Sequence, residues 1–286
     1  MFSVLKCDLN KTIINLGFVG AVLTACILCF TTSVYVDSQT GRSYSAFEAV
    51  FTLDKEIIRT NYELSSILIF RKCLSGYITM FIPIIAAFPF MVTFCAERNS
   101  GLMRFTITRT GKIRYCISKF FACIISAGLA VMLGAALFGI TVMLLFPEFS
   151  AYDVPAEQLE LIMPNGFFSE IYKTLAAAFL YGAISSMQAF FLSSFCKNPY
   201  IITCIPFLVT YIWDTSLNKL QNSFLYLQQW EKMSKIFPFY PNSITYVVLS
   251  EFDNSAKTAV IFNCAYLLVL LVLFIVIMDL RKDSGV

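Results

Sequence analysis

The sequence predicts an all-α integral membrane protein that forms a single transmembrane domain over residues 1–286, with six membrane-spanning helices. Three observations predict this fold class. Apolar residues fill 58% of the 286 positions and charged residues only 14%, little more than half of the charged share of soluble domains. The mean hydropathy is +0.74, which leaves too few polar side chains to cover a water-soluble particle. The apolar residues are also gathered into long stretches, as membrane helices require.

Six apolar stretches are the predicted spans, and they cover about residues 13–34, 75–94, 120–146, 174–195, 199–213 and 258–278. A helix rises about 1.5 Å per residue, so about 20 residues cross a hydrocarbon layer of about 30 Å. Five stretches meet this length. The fifth, Pro199–Trp213, is shorter, and the sequence leaves open whether it is a tilted helix, a broken helix or a re-entrant segment. Pro83 and Pro89 are expected to kink the second span.

The orientation follows from the distribution of Lys and Arg. If the N-terminus is cytoplasmic, the inner segments hold 11 basic residues in 48 positions, whereas the outer segments hold 10 in 110. Cytoplasmic loops are enriched in basic residues, so both termini are predicted to be cytoplasmic. Arg281 and Lys282 after the last span agree with an even number of spans, whereas Arg71 and Lys72 before the second span run against the trend.

The chain has no His and ten Cys. The missing His disfavours most metal sites, catalytic triads and proton shuttles, and no metal site is predicted. Most of the cysteines lie within or beside apolar stretches, where cysteine acts as a small packing residue, and this use agrees with a reducing surrounding. Cys26 and Cys29 have the spacing of a redox or metal motif but lie within a predicted span, and Cys73 has no evident partner.

Small residues recur every four positions in two of the predicted spans. Such stripes let helix backbones approach closely, so these spans are expected to pack against each other or against a partner, with a cargo path as the alternative. The stripe residues are Ala122, Ser126, Ala130 and Gly134 in the third span and Thr174, Ala178, Gly182 and Ser186 in the fourth.

No Asp, Glu, Lys or Arg lies in the middle of a predicted span. Charges at that depth are costly and persist mainly where they function. Ion-coupled transport and intramembrane proteolysis are therefore disfavoured. Gln188 and Asn263 remain as polar residues inside spans, where they are expected either to form interhelical hydrogen bonds or to contact a cargo.

The segment between the second and third spans is strongly basic, with six Lys or Arg and one Glu between Ala96 and Lys119. Apolar residues interrupt it, which is typical of short amphipathic helices at the inner membrane surface. The alternative interpretation is that this segment is a positive-inside loop whose only role is to fix the orientation of the chain in the membrane.

The pattern of this segment resembles the permease subunits of ABC-2 type ABC transporters. An apolar span is followed by a Glu, a Gly, a Thr-Arg pair and a Ser-Lys pair that opens the next span. The residues at family-like positions are Glu97, Gly101, Thr108, Arg109, Ser118 and Lys119. The six-span layout of the whole chain is also similar to this family, although the usual proline-bearing variants after the Gly are absent.

The resemblance implies that this segment contains a cytoplasmic coupling helix that docks on an ATPase subunit. Glu97 and Arg109 would transmit or fix that contact through charge-assisted hydrogen bonds, and Arg104 belongs to the same coupling set. The other expectation for the basic side chains is contact with lipid head groups or with an acidic ATPase surface; it applies to Arg98, Arg104, Lys112 and Arg114.

The resemblance also implies partners. The chain has no Gly-x-x-x-x-Gly-Lys-[Ser/Thr] phosphate loop, so ATP and Mg²⁺ would be bound by the separate ATPase subunit, with no cofactor and no enzyme activity in this chain. A second permease subunit, identical or related, would complete the pathway in a bacterial plasma membrane. Membrane lipids are expected contacts and nucleic acid is not. The aromatic, uncharged interior favours export of a lipophilic or amphipathic cargo, such as an antimicrobial peptide, a drug or a lipid-like molecule.

Three flanking segments complete the prediction. Residues 1–12 mix apolar and charged positions and are expected to form an N-terminal interfacial helix, the alternative being an ordinary tail. Residues 223–250 are too apolar for a free loop and too interrupted by proline for a span, and they resemble the short re-entrant outer helices of the same family. An interfacial aromatic belt would also explain them. Residues 35–73 are expected to add an external helix.

Two other functions remain open at this point. A non-transporting membrane scaffold or sensor would need no ATPase partner and would tolerate changes in residues 97–119. An integral membrane enzyme is disfavoured by the missing His and by the missing acidic residues within the spans.

Overall fold

A computed structural model describes residues 2–37, 41–152, 166–249 and 253–280. Most of these residues are helical. The helices are α1 (Phe2–Ile13), α2 (Leu16–Cys29), α3 (Ala46–Thr52), α4 (Lys55–Thr60), α5 (Ser66–Arg71), α6 (Tyr77–Asn99), α7 (Leu102–Thr110), α8 (Lys112–Leu145), α9 (Phe167–Leu192), α10 (Pro199–Tyr226), α11 (Trp230–Ile236), α12 (Ser243–Val248) and α13 (Asp253–Leu280).

Among the described residues, five helices are long and apolar enough to cross a membrane: α6, α8, α9, α10 and residues 256–280 of α13. A sixth crossing results if α1 and α2, which meet at a bend of 60°, are taken together. The prediction of an all-α membrane protein is therefore confirmed in its main feature. The second, third, fourth and sixth predicted spans overlap α6, α8, α9 and α13.

The first predicted span, residues 13–34, is not one helix. Helix α1 stops at Ile13, and the Asn15 side chain accepts a hydrogen bond from the Gly17 N–H to start α2 in a new direction. Helix α2 ends at Cys29, five residues before the predicted end. A side-chain cap competes with continuation of the preceding helix, which explains a break that hydropathy alone does not show.

Among the other boundaries, the two largest differences from the prediction are at the end of α10 and at the start of α8. The uncertain fifth stretch, predicted over 199–213, is part of a 28-residue helix, α10, which continues through Pro206 to Tyr226. Helix α8 begins at Lys112, eight residues before the predicted third span. In both cases the helix continues into polar sequence, because polar residues also form the backbone hydrogen bonds of a helix.

The region between α2 and α6 holds more structure than the single external helix expected there. Strands β1 (Ser33–Val36) and β2 (Ser43–Ser45) pair as an antiparallel hairpin and are the only strands among the described residues. Ser45 and Glu48 then form a reciprocal capping box at the start of α3. Hydrogen bonds from the Ser45 backbone and hydroxyl hold the pKa of Glu48 below its usual value.

The long helices pack with α8 and α9 at the centre and α2, α6 and α5 around them. Helix α5 is inserted into this core, because its Phe70 ring lies where a side chain at Gly139 of α8 would have to be. Arg71, which follows Phe70, forms an ion pair with the buried Glu170, at 3.8 Å between Nε and Oε2. Lys72 donates a hydrogen bond to the Val34 carbonyl at 3.0 Å. The two basic residues that oppose the charge trend are therefore both paired.

Short elements fill the rest of the predicted 223–250 segment. Helix α11, a 3₁₀ turn over Phe237–Phe239 and helix α12 connect α10 to α13. Ser243, Ile244 and Thr245 of α12 are buried, so this helix lies against the bundle rather than in solvent.

The bundle has two ends, which are named here by their elements. The α7 end carries residues 2–15, 97–119 and 193–199. The far end carries residues 30–76, 146–152 and 227–249. Arg281 and Lys282, which support the predicted cytoplasmic C-terminus, lie outside the described residues.

Candidate functional site at the α7 end

A buried lysine joins three helices at the α7 end. Lys119, in the first third of α8, is 3% exposed, and its Nζ lies 2.8 Å from Asp8 Oδ1 of α1 and 2.5 Å from Glu97 Oε2 of α6. An ammonium group at this depth requires compensating charge, because removing an ion from water costs several kcal/mol. Asp8 and Glu97 supply that charge from two different helices.

A second lysine completes the group. Lys11 of α1 is half exposed, and its Nζ lies 3.1 Å from the other oxygen of Glu97, Oε1. Two acids and two bases therefore form a formally neutral ion network, defined here as Asp8, Lys11, Glu97 and Lys119. The rings of Phe94 and Tyr115 lie beside the Lys119 ammonium, with centroids at 6.0 and 5.3 Å, as in cation–π contacts. The network locks α1 to the end of α6 and the start of α8.

Helix α7 lies between two sharp turns next to this network. Gly101 has φ of 75° and Gly111 has φ of 82°, in a region that favours glycine over residues with a Cβ. Only two residues separate α6 from α7, and one separates α7 from α8. Buried Met103 packs α7 against the bundle, together with partly buried Ile107. The connections are thus short, and the helix is anchored on one side.

The other side of α7 is open. It combines basic and apolar side chains, and Phe105 is 72% exposed. No ion pair or hydrogen bond within the described residues engages the guanidinium groups of Arg104, Arg109 and Arg114. The α7 surface is defined here by its exposed residues: Leu102, Arg104, Phe105, Thr108, Arg109, Ile113 and Arg114.

The predicted coupling residues therefore fall into two groups. Arg104, Thr108 and Arg109 lie on the α7 surface, next to Gly101, where another protein could reach them. Ser118 and Lys119 are buried, and Glu97 is committed to the two lysines. Ser118 and Lys119 are therefore not accessible to a partner in this structure, and the role predicted for Glu97, to transmit or fix the contact with an ATPase subunit, stays a prediction.

Two of the basic residues expected at lipid head groups have partners inside the protein. Arg98 donates to backbone carbonyls beyond the end of α9, including the Cys196 carbonyl at 2.9 Å. Carbonyl groups at the cap of a helix and in the turn after it lack partners within that helix, and a guanidinium group satisfies them well. Lys112 Nζ lies 2.9 Å from Asp279 Oδ1 near the end of α13. Both residues join α6 or α8 to a neighbouring helix.

The sequence reasoning missed Asp8 and Lys11. The mixed character of residues 1–12 predicted an interfacial helix but not that two of its charged residues face the bundle. Their spacing of three positions places them on one helix face, which is the only signal in the sequence. Their partners are 86 or more positions away in the chain.

The small-residue stripes of α8 and α9 lie in the core. A Cβ added at Gly182 of α9 would stand 3.0 Å from the Ala127 carbonyl oxygen of α8, and one at Gly134 of α8 would stand 2.4 Å from the Ala25 Cβ of α2. Gly134 of the α8 stripe thus faces α2, and Gly182 of the α9 stripe faces α8. The other stripe residues are all buried as well: Ala122, Ser126, Ala130, Thr174, Ala178 and Ser186.

The two mid-span amides, Gln188 and Asn263, line the same small cavity between α9, α10 and α13. Its volume is about 20 Å³, room for about one water molecule. Thr210 Oγ1 donates to Gln188 Oε1 at 3.5 Å, and Asn263 Nδ2 donates to the Ala259 carbonyl at 2.8 Å. Asn263 Nδ2 also donates to Ser243 Oγ of α12 at 3.3 Å, so both amides take part in hydrogen bonds between helices, and the cavity as it stands is too small for a cargo.

Neither the known protein families nor the curated proteins with which the chain was compared contain a match. The α7 surface and the ion network are the features of the molecule from which a function can be inferred.

Proposed function

We propose that this chain is the membrane-spanning permease subunit of an ATP-driven exporter of the ABC-2 type and that the α7 surface docks on a separate ATPase subunit. One observation carries the proposal: a short helix with an open basic and apolar face is joined by connections of one and two residues to two membrane-spanning helices. A surface of this kind suits a partner with an acidic rim and an apolar pocket.

The ion network explains how a displacement of α7 would reach the membrane. A push on α7 acts on the end of α6 and the start of α8 with little slack, because the connections are short. Asp8, Glu97 and Lys119 then make α1, α6 and α8 respond together rather than separately. A rigid unit of this kind is what a hinge or rocking movement between two states needs.

The other parts of the proposal follow from the same assignment. ATP and Mg²⁺ belong to the ATPase subunit, and a second permease subunit, identical or related, would complete the pathway. The protein would reside in a bacterial plasma membrane with its α7 end in the cytoplasm, and a lipophilic or amphipathic cargo suits its uncharged spans. The small cavity at Gln188 and Asn263 would have to widen during transport.

Charge reversal on the α7 surface tests the docking proposal. We expect Arg109→Glu to weaken binding of the ATPase subunit by about tenfold or more, since the exposed guanidinium would become a carboxylate facing an acidic rim. Co-purification from membranes with the tagged chain, followed by mass spectrometry and a titration of the captured ATPase, measures this.

Lys55→Glu is the matched control for this test. It makes the same charge change on an exposed residue of α4 at the far end, so it should leave ATPase binding unchanged. If no ATPase co-purifies with the native chain, or if it binds Arg109→Glu as tightly, the docking proposal is wrong and the scaffold or sensor alternative gains support.

The orientation has its own test, based on Cys7. This residue is exposed at the α7 end, so a membrane-impermeant maleimide should label it in inside-out vesicles and not in intact cells. The readout is the modified mass of the peptide that contains Cys7. Labelling from outside intact cells would place the α7 end on the wrong side for a cytoplasmic ATPase.

A further inference from the structure

An apolar cavity lies at the far end of the bundle, where α2 and α8 end beside α3 and the start of α6. Its volume is about 790 Å³. The lining is apolar except at Thr31, Ser45 and Glu48, and the last two bond each other in the capping box of α3. The largest apolar residues of the lining are Ile27, Phe30, Phe47, Phe51, Tyr77 and Leu145.

A second cavity, of about 720 Å³, adjoins the first and carries charge. The two cavities are adjacent because Val50, Phe51 and Leu145 line both of them. Lys55 and Arg59 of α4 line the second cavity, one helical turn apart on the same helix face. The preceding residue, Asp54, lines it as well, so these three charged groups leave one positive charge in excess.

The two basic side chains are available to a ligand. Lys55 and Arg59 are exposed, and no ion pair or hydrogen bond engages their side chains within residues 2–37, 41–152, 166–249 and 253–280. Ammonium and guanidinium groups bind phosphate through charge-assisted hydrogen bonds.

The cavities also lie at the depth of the membrane surface. Leu144 and Leu145 are exposed at the end of α8, a helix long and apolar enough to span the membrane. Phe47 and Phe51 are exposed on the short helix α3 beside it. Large apolar side chains at the end of a span lie at the boundary between hydrocarbon and head groups, so basic residues just beyond them are at head-group level.

We infer that the two cavities together bind one glycerophospholipid of the surrounding bilayer, with an acyl chain in the apolar cavity and the phosphate group at Lys55 and Arg59. The adjoining cavities require an occupant that is apolar at one end and anionic at the other, and the bilayer supplies such molecules at this depth. The excess positive charge favours an anionic head group, such as that of phosphatidylglycerol. This inference does not rest on the proposed transport function.

Native mass spectrometry of the full chain in detergent tests the inference, with dioleoylphosphatidylglycerol as the probe. We expect one lipid to bind per chain more tightly than any further lipid. Lys55→Gln/Arg59→Gln should weaken this first binding step by about tenfold or more, because each basic side chain near a lipid phosphate contributes to binding. Both residues are exposed, so the double variant should keep the native Tm.

Lys232→Gln/Lys235→Gln is the matched control. It makes the same charge change on exposed residues of α11, also at the far end, and neither residue lines either cavity. This variant should bind the lipid as the native chain does. Dioleoylglycerol, which lacks the phosphate, and glycerol 3-phosphate, which lacks the acyl chains, should each bind at least about tenfold more weakly than the complete lipid.

Three results would overturn the inference. If the Lys55/Arg59 variant binds phosphatidylglycerol as tightly as the native chain does, the phosphate is not held there. If both double variants lose affinity equally, the lipid responds only to the overall charge of the far end. If either half of the lipid binds as tightly as the whole, the two cavities do not form one site. None of these results affects the docking proposal, since Arg109 lies at the opposite end of the bundle.

Discussion

Replacing Lys119 by Met is expected to lower the free energy of unfolding by about 3–5 kcal/mol. The substitution keeps about the length of the side chain and its apolar stem, but it removes the positive charge that compensates Asp8 and Glu97. Removing one partner from a buried ion group lowers the free energy of unfolding by about this amount, because the remaining charge stays buried without compensation. Thermal or denaturant unfolding of the purified protein in detergent micelles measures the loss.

Lys11→Met is the matched control, because Lys11 contacts the same Glu97 but is 53% exposed. Its loss should cost less than about 1 kcal/mol, as for exposed ion pairs. Adding Asp8→Asn and Glu97→Gln to Lys119→Met should recover part of the stability, since the charge that then remains, on Lys11, is half exposed rather than buried. Equal stability of the Lys119 and Lys11 variants would show that the network does not hold the three helices together.

The second large effect is expected at Gly134, where α8 touches α2. In Gly134→Ala the new Cβ would lie 2.4 Å from the Ala25 Cβ and 2.9 Å from the Val22 carbonyl oxygen. Neither group can move without moving the α2 backbone, so the helices must separate. We expect a loss of about 1–3 kcal/mol, as for overpacked cores, measured by the same unfolding experiment.

Gly20→Ala provides the comparison on the α2 side of the molecule. Gly20 is also helical, but no atom lies within 4 Å of a Cβ added there. Alanine favours helix over glycine by about 1 kcal/mol, so this variant should be as stable as the native protein or slightly more so. If both alanine variants behave alike, the close approach of α8 to α2 at Gly134 is not a determinant of stability.

The boundaries of the spans show where sequence reasoning succeeded and failed. Hydropathy located α6, α8, α9 and α13 because each residue adds its own transfer free energy wherever the chain runs. Hydropathy did not show the break between α1 and α2, because the cap at Asn15 depends on one side chain and not on average composition. It shortened α10 because the polar residues after Trp213 still form helical hydrogen bonds.

For the candidate site, too, the sequence predicted one part and not another. The basic character of residues 97–119 and the presence of a short helix there follow from local composition and from two glycines. The sequence could not tell that Arg109 is exposed whereas Lys119 is buried, because both are basic residues in one segment. That difference comes from packing against α1, which no local pattern reports.

The membrane class, the helical character and the concentration of positive charge in one segment all follow from the amino-acid sequence. These properties are sums over neighbouring residues. Two contacts could be known only from the packing of the helices: Lys119 meets Asp8 across 111 positions, and Gly134 lets α2 approach α8 closely. Each of these contacts depends on the distance between two residues remote in the chain, and that distance is set by how the helices pack.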